Sequence, residues 1–339
     1  MNFNTERKMP SEDWNLIRNL DEIADIPKKL LSLPPQTQVE LNLTSMANFF
    51  PFLLPIIKSI MPTRISEIGA DRGFTSKQLQ DVVSDLGAEL DIIDPALNQS
   101  DEVELPEHTS LFAEKSFDYF NRKRKAEICF LDGDHNYAVV KKELELLNQE
   151  QIGCKVIFAH DVGWPCGYRD MHYGDEYQDS KLNIVERAKL FPTTSNVSKV
   201  GYSMDYHIAE QEGGEQNGVL SAFEEFLAEN DDWEYFSIPS VWGLGIMFKP
   251  DMLSQEQLDL LADTREKLDL LKPFLGVLEL NRIHLLAKVD SLYGVTGKMA
   301  QDKAKADEEI KRLNKVLMGP TTLRGVVYGL KKIFRLNKL

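Results

Sequence analysis

The chain is short of cysteine. Three thiols, Cys129, Cys154 and Cys166, stand in 339 residues with no paired spacing, which excludes a disulfide framework. Neither a C-x-x-C pair nor H-E-x-x-H occurs, which disfavours a zinc hydrolase. The thiols read as reduced, in a cytoplasmic protein, with Cys129 and Cys154 as small core residues inside apolar runs. Long apolar runs are missing too. The greasiest stretch, FFPFLLPII from Phe49 to Ile57, is too short and too proline-broken to cross a bilayer. The opening MNFNTERKMPSEDW has no apolar core like that of a signal peptide. Positive charge is scarce: 39 Lys and Arg against 54 Asp and Glu give −15, which argues against a nucleic-acid partner.

What is present is ordinary globular composition, 42% hydrophobic and 27% charged, with length for one large domain and an appendage. The charge is uneven. From Ile310 to Leu339 eight Lys and Arg stand without an acid, which marks the tail as a separate unit. Four parts follow: a helical preface over 1–47, a main domain over 48–250, a helical extension with coiled-coil character over 251–318, and a basic amphipathic tail over 319–339. In the tail, Val326, Val327, Leu330, Ile333 and Phe334 share one helical side while Lys331, Lys332, Arg335 and Lys338 crowd the rest. Such a helix can lie on an anionic membrane, here the inner face, or dock on the acidic body or on another subunit of a homo-oligomer.

In the main domain RISEIGA reads as a strand, TSKQLQDVVSDLG as a helix closed by Gly87, AELDIIDP as a strand, and EHTSLFAEKS as a third. AEICFLDGD is a fourth strand, YAVVKKELELLNQ a helix and CKVIFAHDV a fifth strand. The alternation implies right-handed crossovers and a mostly parallel sheet. PCGYRDMHYGDEYQDS then reads as a loop, NVSKVGYSMDYHI as a strand, GVLSAFEEFLAEN as a helix, and YFSIPSVWGLGIMF as one last strand. Three helical segments follow from Ser254.

Ligands of such sheets bind at the carboxyl ends of the strands, and three of those ends carry an acid: Asp94, Asp132 and Asp161. SEIGADRGFTS places Glu67, Gly69 and Gly73 between a strand and a helix. The glycines allow a tight turn that brings backbone amides to a ligand. G-x-G-x-x-G fails here because position 71 is Asp, so an NAD-dependent oxidoreductase is unlikely and the loop of Gly69, Ala70, Asp71 and Gly73 suits a ligand with a positive or zwitterionic part. Asp94 can accept from a ribose diol.

Glu67-x-Gly69-x-x-x-Gly73, then Asp94, then Asp132 resembles the motif series of class I S-adenosylmethionine-dependent methyltransferases. FLDGDHNYAVVKKELE, FAHDVGWPCGYRDMHY, NGVLSAFEEFL and VWGLGIMF resemble the bacterial group of macrocin O-methyltransferases and so-called cephalosporin hydroxylases, over Asn48 to Lys249. The resemblance implies a Rossmann-like α/β fold, a mostly parallel sheet with an antiparallel edge strand, followed by a C-terminal helical extension. It places the Gly69 loop at the methionine part of S-adenosylmethionine, Asp94 on the ribose, and Ser116 near the adenine. It implies methyl transfer to a hydroxyl of a sugar in glycan or natural-product assembly, with a phenol or a nitrogen as rival acceptors and a non-catalytic scaffold as the rival class.

A sugar hydroxyl is a poor nucleophile and needs a base, a metal, or both. By the same resemblance Asp132 and Asp161, at the ends of adjacent strands, are metal-binding acids, and His135 of the Asp-x-x-His pattern is the base. Asp134 is open between metal ligand, orienter of His135 and helix cap. The departure lies at His160-Asp161-Val162, where relatives often carry a second acid or amide beside the aspartate. Valine cannot ligate; histidine can, but Mg²⁺ prefers oxygen, which leaves a softer ion such as Mn²⁺, a weaker Mg²⁺ site or no metal, and His160 as a non-ligand is a hydrogen-bonded core histidine. Arg169, His172 and Tyr173 are loop candidates for acceptor binding, and Trp164 and Trp242 either line the acceptor pocket or pack the core.

Overall fold

The computed structural model describes residues 44–96, 106–174, 178 and 180–317. Most of the helical preface and the whole basic tail lie outside the described residues.

A seven-stranded sheet forms the centre. Its strands are β1 (Arg64–Ile68), β2 (Glu89–Ile93), β3 (Thr109–Phe112), β4 (Ile128–Leu131), β5 (Val156–His160), and, further along the chain, β9 (Glu234–Ile238) and β10 (Leu244–Phe248). The order is β3-β2-β1-β4-β5-β10-β9. The first five strands run parallel, and β10 lies antiparallel between β5 and β9 at one edge. This is the Rossmann-like, mostly parallel sheet with an antiparallel strand at one edge that the resemblance implies. β4 and β5 are buried at every position, as a sheet covered on both faces requires. Their residues alternate between two cores, with Cys129, Leu131, Ile157 and Ala159 on one face and Ile128, Phe130, Val156 and Phe158 on the other.

Helices α1 (Phe50–Ile60) and α2 (Phe74–Leu86) cover the second face, while α3 (Ser116–Asn121), α4 (Tyr137–Leu147) and α5 (Val219–Glu229) cover the first. α2 ends at Gly87, as the sequence predicts, with φ of 64°. The N-cap of α4 is Asn136, whose side chain accepts from Val139 N at 3.0 Å. Asp134 instead accepts from His135 N and Asn136 Nδ2, so it orders the turn before the helix.

Three readings of the sequence change. YFSIPSVWGLGIMF is two antiparallel strands, β9 and β10, reversed at Val241 and Trp242, both at positive φ. The stretch after β5 is more than a loop: β6 (Met171–His172), β7 (Ile184–Leu190) and β8 (Tyr202–Ala209) form a second, antiparallel sheet in the order β6-β8-β7. The helical segments after Ser254 fuse into one 63-residue helix, α6 (Gln255–Leu317), which runs through Pro273. Its first part packs on the body through Leu261, Leu268, Ile283 and Ala287.

Candidate active site

Parallel strands place their carboxyl ends on one edge, and β1, β2, β4 and β5 deliver Gly69, Asp94, Asp132 and Asp161 there. All four neighbourhoods open on one cavity of about 1070 Å³. That is the upper end of the range for small-molecule sites, roughly 300–1,000 Å³, and enough for two ligands side by side.

One end is built by β1 and β2. Gly69 has φ of +82°, and a Cβ there would fall 2.2 Å from the Asp132 carbonyl oxygen, so only glycine lets the β1 turn pass against β4. Gly69 N donates to Ile93 O at 2.9 Å, and Ala70 N donates to Asp94 Oδ2 at 2.9 Å. Asp94 is therefore held against the loop it was expected to serve. Asp71 and Gly73 also take positive φ, and Ala70, Asp71 and Arg72 line the cavity. Glu67 is buried with Oε2 unpartnered, and burial, with Asp132 and Asp94 adding, pushes its carboxyl up to about 8. Ser116, Phe117 and Glu143 line the floor. Burial raises Glu143 to about 8, with a hydrogen bond from Ser116 as a partial offset.

The other end holds two carboxylates and two imidazoles. His160 ends β5, and its Nε2 lies 2.8 Å from Val241 O, to which it donates, so Nδ1 faces inward. Nδ1 stands 3.1 Å from Asp132 Oδ1 and 3.2 Å from Asp161 Oδ2. His135 Nε2 stands 2.7 Å from Asp161 Oδ2, off the angle of a hydrogen bond, and 3.6 Å from Asp132 Oδ1. His135 Nδ1 is 3.1 Å from Tyr173 Oη. Burial alone would lower His135, but Asp161 and Asp132 outweigh it and hold it at about 10. The same opposition carries His160 well above its usual range, while the two imidazoles hold Asp161 well below the ordinary carboxylate range against its own burial. Asp161 sits at φ 58°, a strained backbone for a residue with a side chain.

Ligand-capable atoms of Asp132, His135 and Asp161 lie within 4.8 Å of one another, and His160 Nδ1 joins them from β5. This mixed carboxylate and imidazole set fits a divalent ion of the Mn²⁺ type better than Mg²⁺. The unpartnered Glu67 oxygen and the glycine-only turn fit a cofactor with a polar or cationic end.

Around this cluster stands an aromatic wall. Tyr173 meets Tyr206 with ring centres 4.9 Å apart, and Tyr202 meets Trp242 at 5.2 Å. Tyr202, Ser203, Asp205 and Tyr206 line the cavity from β8. None of these four stood among the expected site residues, although YSMDY places a tyrosine at both ends of a five-residue alternation. Of the expected acceptor residues, Tyr173 and Trp242 line the cavity. Trp164 packs behind Trp242 at 5.6 Å between ring centres and is not part of the lining. His172 is buried in β6, outside the lining. Arg169 is buried away from the cavity, donating to the carbonyls of Ala209, Glu210 and Ser195. α6 closes the wall: Glu279 accepts from Val241 N and Trp242 N at 2.8 and 2.9 Å, and Asp290 accepts from Ser203 Oγ at 2.7 Å.

No family model matches the chain, and no curated protein matches it. Among solved structures, a protein of Corynebacterium glutamicum is 12% identical, covering 70% of this chain and 97% of its own, with a TM-score of 0.39. An S-adenosylhomocysteine-bound methyltransferase of Podospora anserina is 11% identical, covering 73% of this chain and 100% of its own, at 0.39. A protein of Staphylococcus aureus described as a caffeoyl-CoA O-methyltransferase is 12% identical, covering 70% and 99%, at 0.39. Likeness at that level carries neither a substrate nor a mechanism across.

Proposed function

We propose that this chain is an S-adenosylmethionine-dependent O-methyltransferase of the macrocin type, working in the cytoplasm and acting on a sugar hydroxyl in glycan or natural-product assembly. The observation that carries the reading is the continuity of one cavity from the Gly69 loop and Asp94 to the Asp132, His135, His160 and Asp161 cluster. The first end suits a nucleoside cofactor with an aminoacyl arm: Asp94 for the ribose diol, Glu67 for a cationic group whose charge would displace the proton that burial keeps on it, and Ser116 with Glu143 near the base. The second suits deprotonation of a hydroxyl. The tyrosine wall, with Ser203 and Asp205 on its edge, offers apolar faces and polar rims to a sugar ring.

Bound S-adenosylmethionine supplies the electrophilic methyl group, and the chain's residues place and activate the acceptor. His135 is the base. Facing two carboxylates it keeps its proton at neutral pH; a divalent ion held by Asp132, Asp161 and His160 would neutralise those charges and free it. Tyr173 fixes the His135 ring through Nδ1, and His160 is tied by Val241 so that its inner nitrogen stays aimed at the carboxylates.

The test is calorimetric titration with S-adenosylhomocysteine, with NAD as control and with Mn²⁺, Mg²⁺ or EDTA present. It is followed by transfer from labelled S-adenosylmethionine to free hexoses, nucleotide-linked hexoses and catechols. S-adenosylhomocysteine should bind and NAD should not. His135→Ala should keep cofactor binding and lose about 10²–10⁴ in methyl transfer, and Asp132→Asn should lose transfer together with its metal dependence. Absence of S-adenosylhomocysteine binding in every condition would overturn the cofactor. Transfer to catechols alone would overturn the sugar, and variants indistinguishable from the parent would leave a scaffold.

A further inference from the structure

α6 spans 63 residues, about 95 Å at 1.5 Å per residue. Its buried residues, among those described, end at Ala287, Asp290 still bonds the body at Ser203, and the side chains described beyond it are exposed. Along its length leucine or methionine recurs every seventh residue, at Leu271, Leu278, Leu285, Leu292 and Met299, then, past Ala306, at Leu313. These side chains are in solvent: Leu285 and Met299 are each 66% exposed and Leu292 is 56%. Phe274, Val289 and Ile310, also exposed, flank the stripe at heptad-compatible spacings of three and four. In the far part of the helix, where most residues are charged or small, the large apolar side chains described, Met299, Ile310 and Leu313, fall on or beside this repeat.

From this stripe we infer that α6 pairs with the same helix of a second copy of this chain, as a two-stranded, left-handed coiled coil over 271–313. A helix that packs on a globular body follows a 3.6-residue period, and the contacts of α6 with its own body do so through Leu261, Leu268, Ile283 and Ala287. A strict period of seven drifts about 20° per heptad around a straight helix and stays on one seam only if two helices supercoil left-handedly. One seam position stays apolar over six heptads, and the position four residues on alternates Leu275, Val289 and Ile310 with Arg282, Thr296 and Lys303, so half of the heptads are apolar at both seam positions, at the lower bound of the three or four that mark a coiled coil. A second copy carries the identical repeat, so a two-fold pairing matches it without any further surface. Four positions in seven face a partner, about 25 residues a side, within the roughly 20–30 of a stable interface. The chain's own segments fit less well. The 22 residues after Leu317 reach about 33 Å even as an unbroken helix, against a stripe of about 63 Å. The segment before Thr44 has an apolar residue every seventh place at Met9, Leu16, Ile23 and Leu30, but this run would reach only about 32 Å even as a helix, and Pro10 and Pro27 fall inside it. The stripe lies on a different side of α6 from Glu279 and Asp290, which hold the acceptor wall, so one rod joins the dimer seam to the site.

The test is light scattering after size exclusion and sedimentation equilibrium on the full chain, from about 1 to 100 μM. The wild type should run at twice the chain mass. Leu285→Lys, Leu292→Lys and Met299→Lys together should give a monomer with an unchanged thermal transition at matched low concentration. Gln301→Lys with Glu308→Lys, on the opposite side, should remain dimeric. If the triple variant loses its cooperative transition, Leu292→Lys alone should raise the dimer dissociation constant at least tenfold. A wild type that is monomeric throughout overturns the pairing, as does a dimer indifferent to the stripe lysines. A wild-type monomer that dimerises once residues 321–339 are removed also overturns it, by showing that the tail covers the stripe.

Discussion

Glu143 is a carboxyl that α4 carries into the core, 2% exposed, beside Ser116 and near Asp134. Burial sets its behaviour, raising it from 4.5 to about 8. Between those two pH values the unfolded chain has released the proton and the folded chain still holds it. The unfolded state binds fewer protons there, so stability falls as pH rises through the window and levels off above about 8. The slope from one such group is at most about 1.4 kcal/mol per pH unit. Glu67, raised for the same reason, adds to it. Glu143→Gln keeps the neutral amide-sized group and removes the titration. Urea unfolding at pH 5, 6.5 and 8 should therefore show a flatter pH dependence in the variant than in the parent; parallel dependences would mean that Glu143 ionises freely in the fold. No sequence pattern announced this residue, because KKELELL reads as an ordinary amphipathic helix and the burial comes from α3 packing across it. Asp94, Asp132, Asp161 and His135 were legible for the opposite reason: a polar residue that ends an apolar run in an α/β alternation has one place to be, the carboxyl edge of the sheet.

At the scale of elements, the sheet was legible up to β5 because buried parallel strands are short apolar runs bounded by turns. Beyond it the signal weakened. β7, IVERAKL, alternates with exposed charges, and β9 and β10 merge in the sequence because the reversal between them uses Val241 and Trp242 at positive φ in place of a glycine-asparagine turn. That reversal is held from outside by Glu279 and by Arg282, whose guanidinium lies 4.1 Å from the Trp242 ring centre, a tertiary override of local preference. Arg169 belongs to the same scale. Its polar position in a loop suggested acceptor binding, yet its guanidinium joins the carbonyls of Ala209, Glu210 and Ser195 and so ties the β6-β8-β7 sheet to the segment after β5. Arg169→Ala takes a charged donor from all three carbonyls, of which Glu210 O and Ser195 O keep backbone donors in Val197 N and Glu212 N, and should cost about 1–3 kcal/mol of stability, with Arg169→Lys recovering only part because an ammonium cannot span the same fork. Denaturant titration should show the loss while the S-adenosylhomocysteine dissociation constant, read at temperatures where the variant is folded, stays within about twofold. A dissociation constant or acceptor KM that moves with no change in stability would return Arg169 to the site.

For the whole molecule the question is where the folded body ends along α6. The sequence separates a main domain from a helical extension at about residue 250, but the helix after that point is part of the body for its first ten turns. Leu261 and Leu268 complete the core under α1, Gln257 Nε2 donates to Ser59 O at 2.8 Å, Leu286 lines the cavity, and Glu279 and Asp290 hold its wall through Val241, Trp242 and Ser203. Burying Leu261, Leu268 and Ile283 there is worth roughly 1.5–3 kcal/mol each, which together reaches into the 5–15 kcal/mol that holds a typical domain folded. A chain ending after Ser254 should therefore lose its cooperative thermal transition, whereas one ending after Gly294 keeps Leu261, Leu268, Ile283 and Ala287, the buried apolar residues described in α6, and should melt within a few degrees of the full chain at low protein concentration. The two truncations separate the roles of one helix: its first part completes the fold and the acceptor wall, and its remainder adds nothing to the stability of a single copy. A transition equally sharp in the shorter chain would place the boundary back at residue 250 and make Glu279 and Asp290 dispensable to the site.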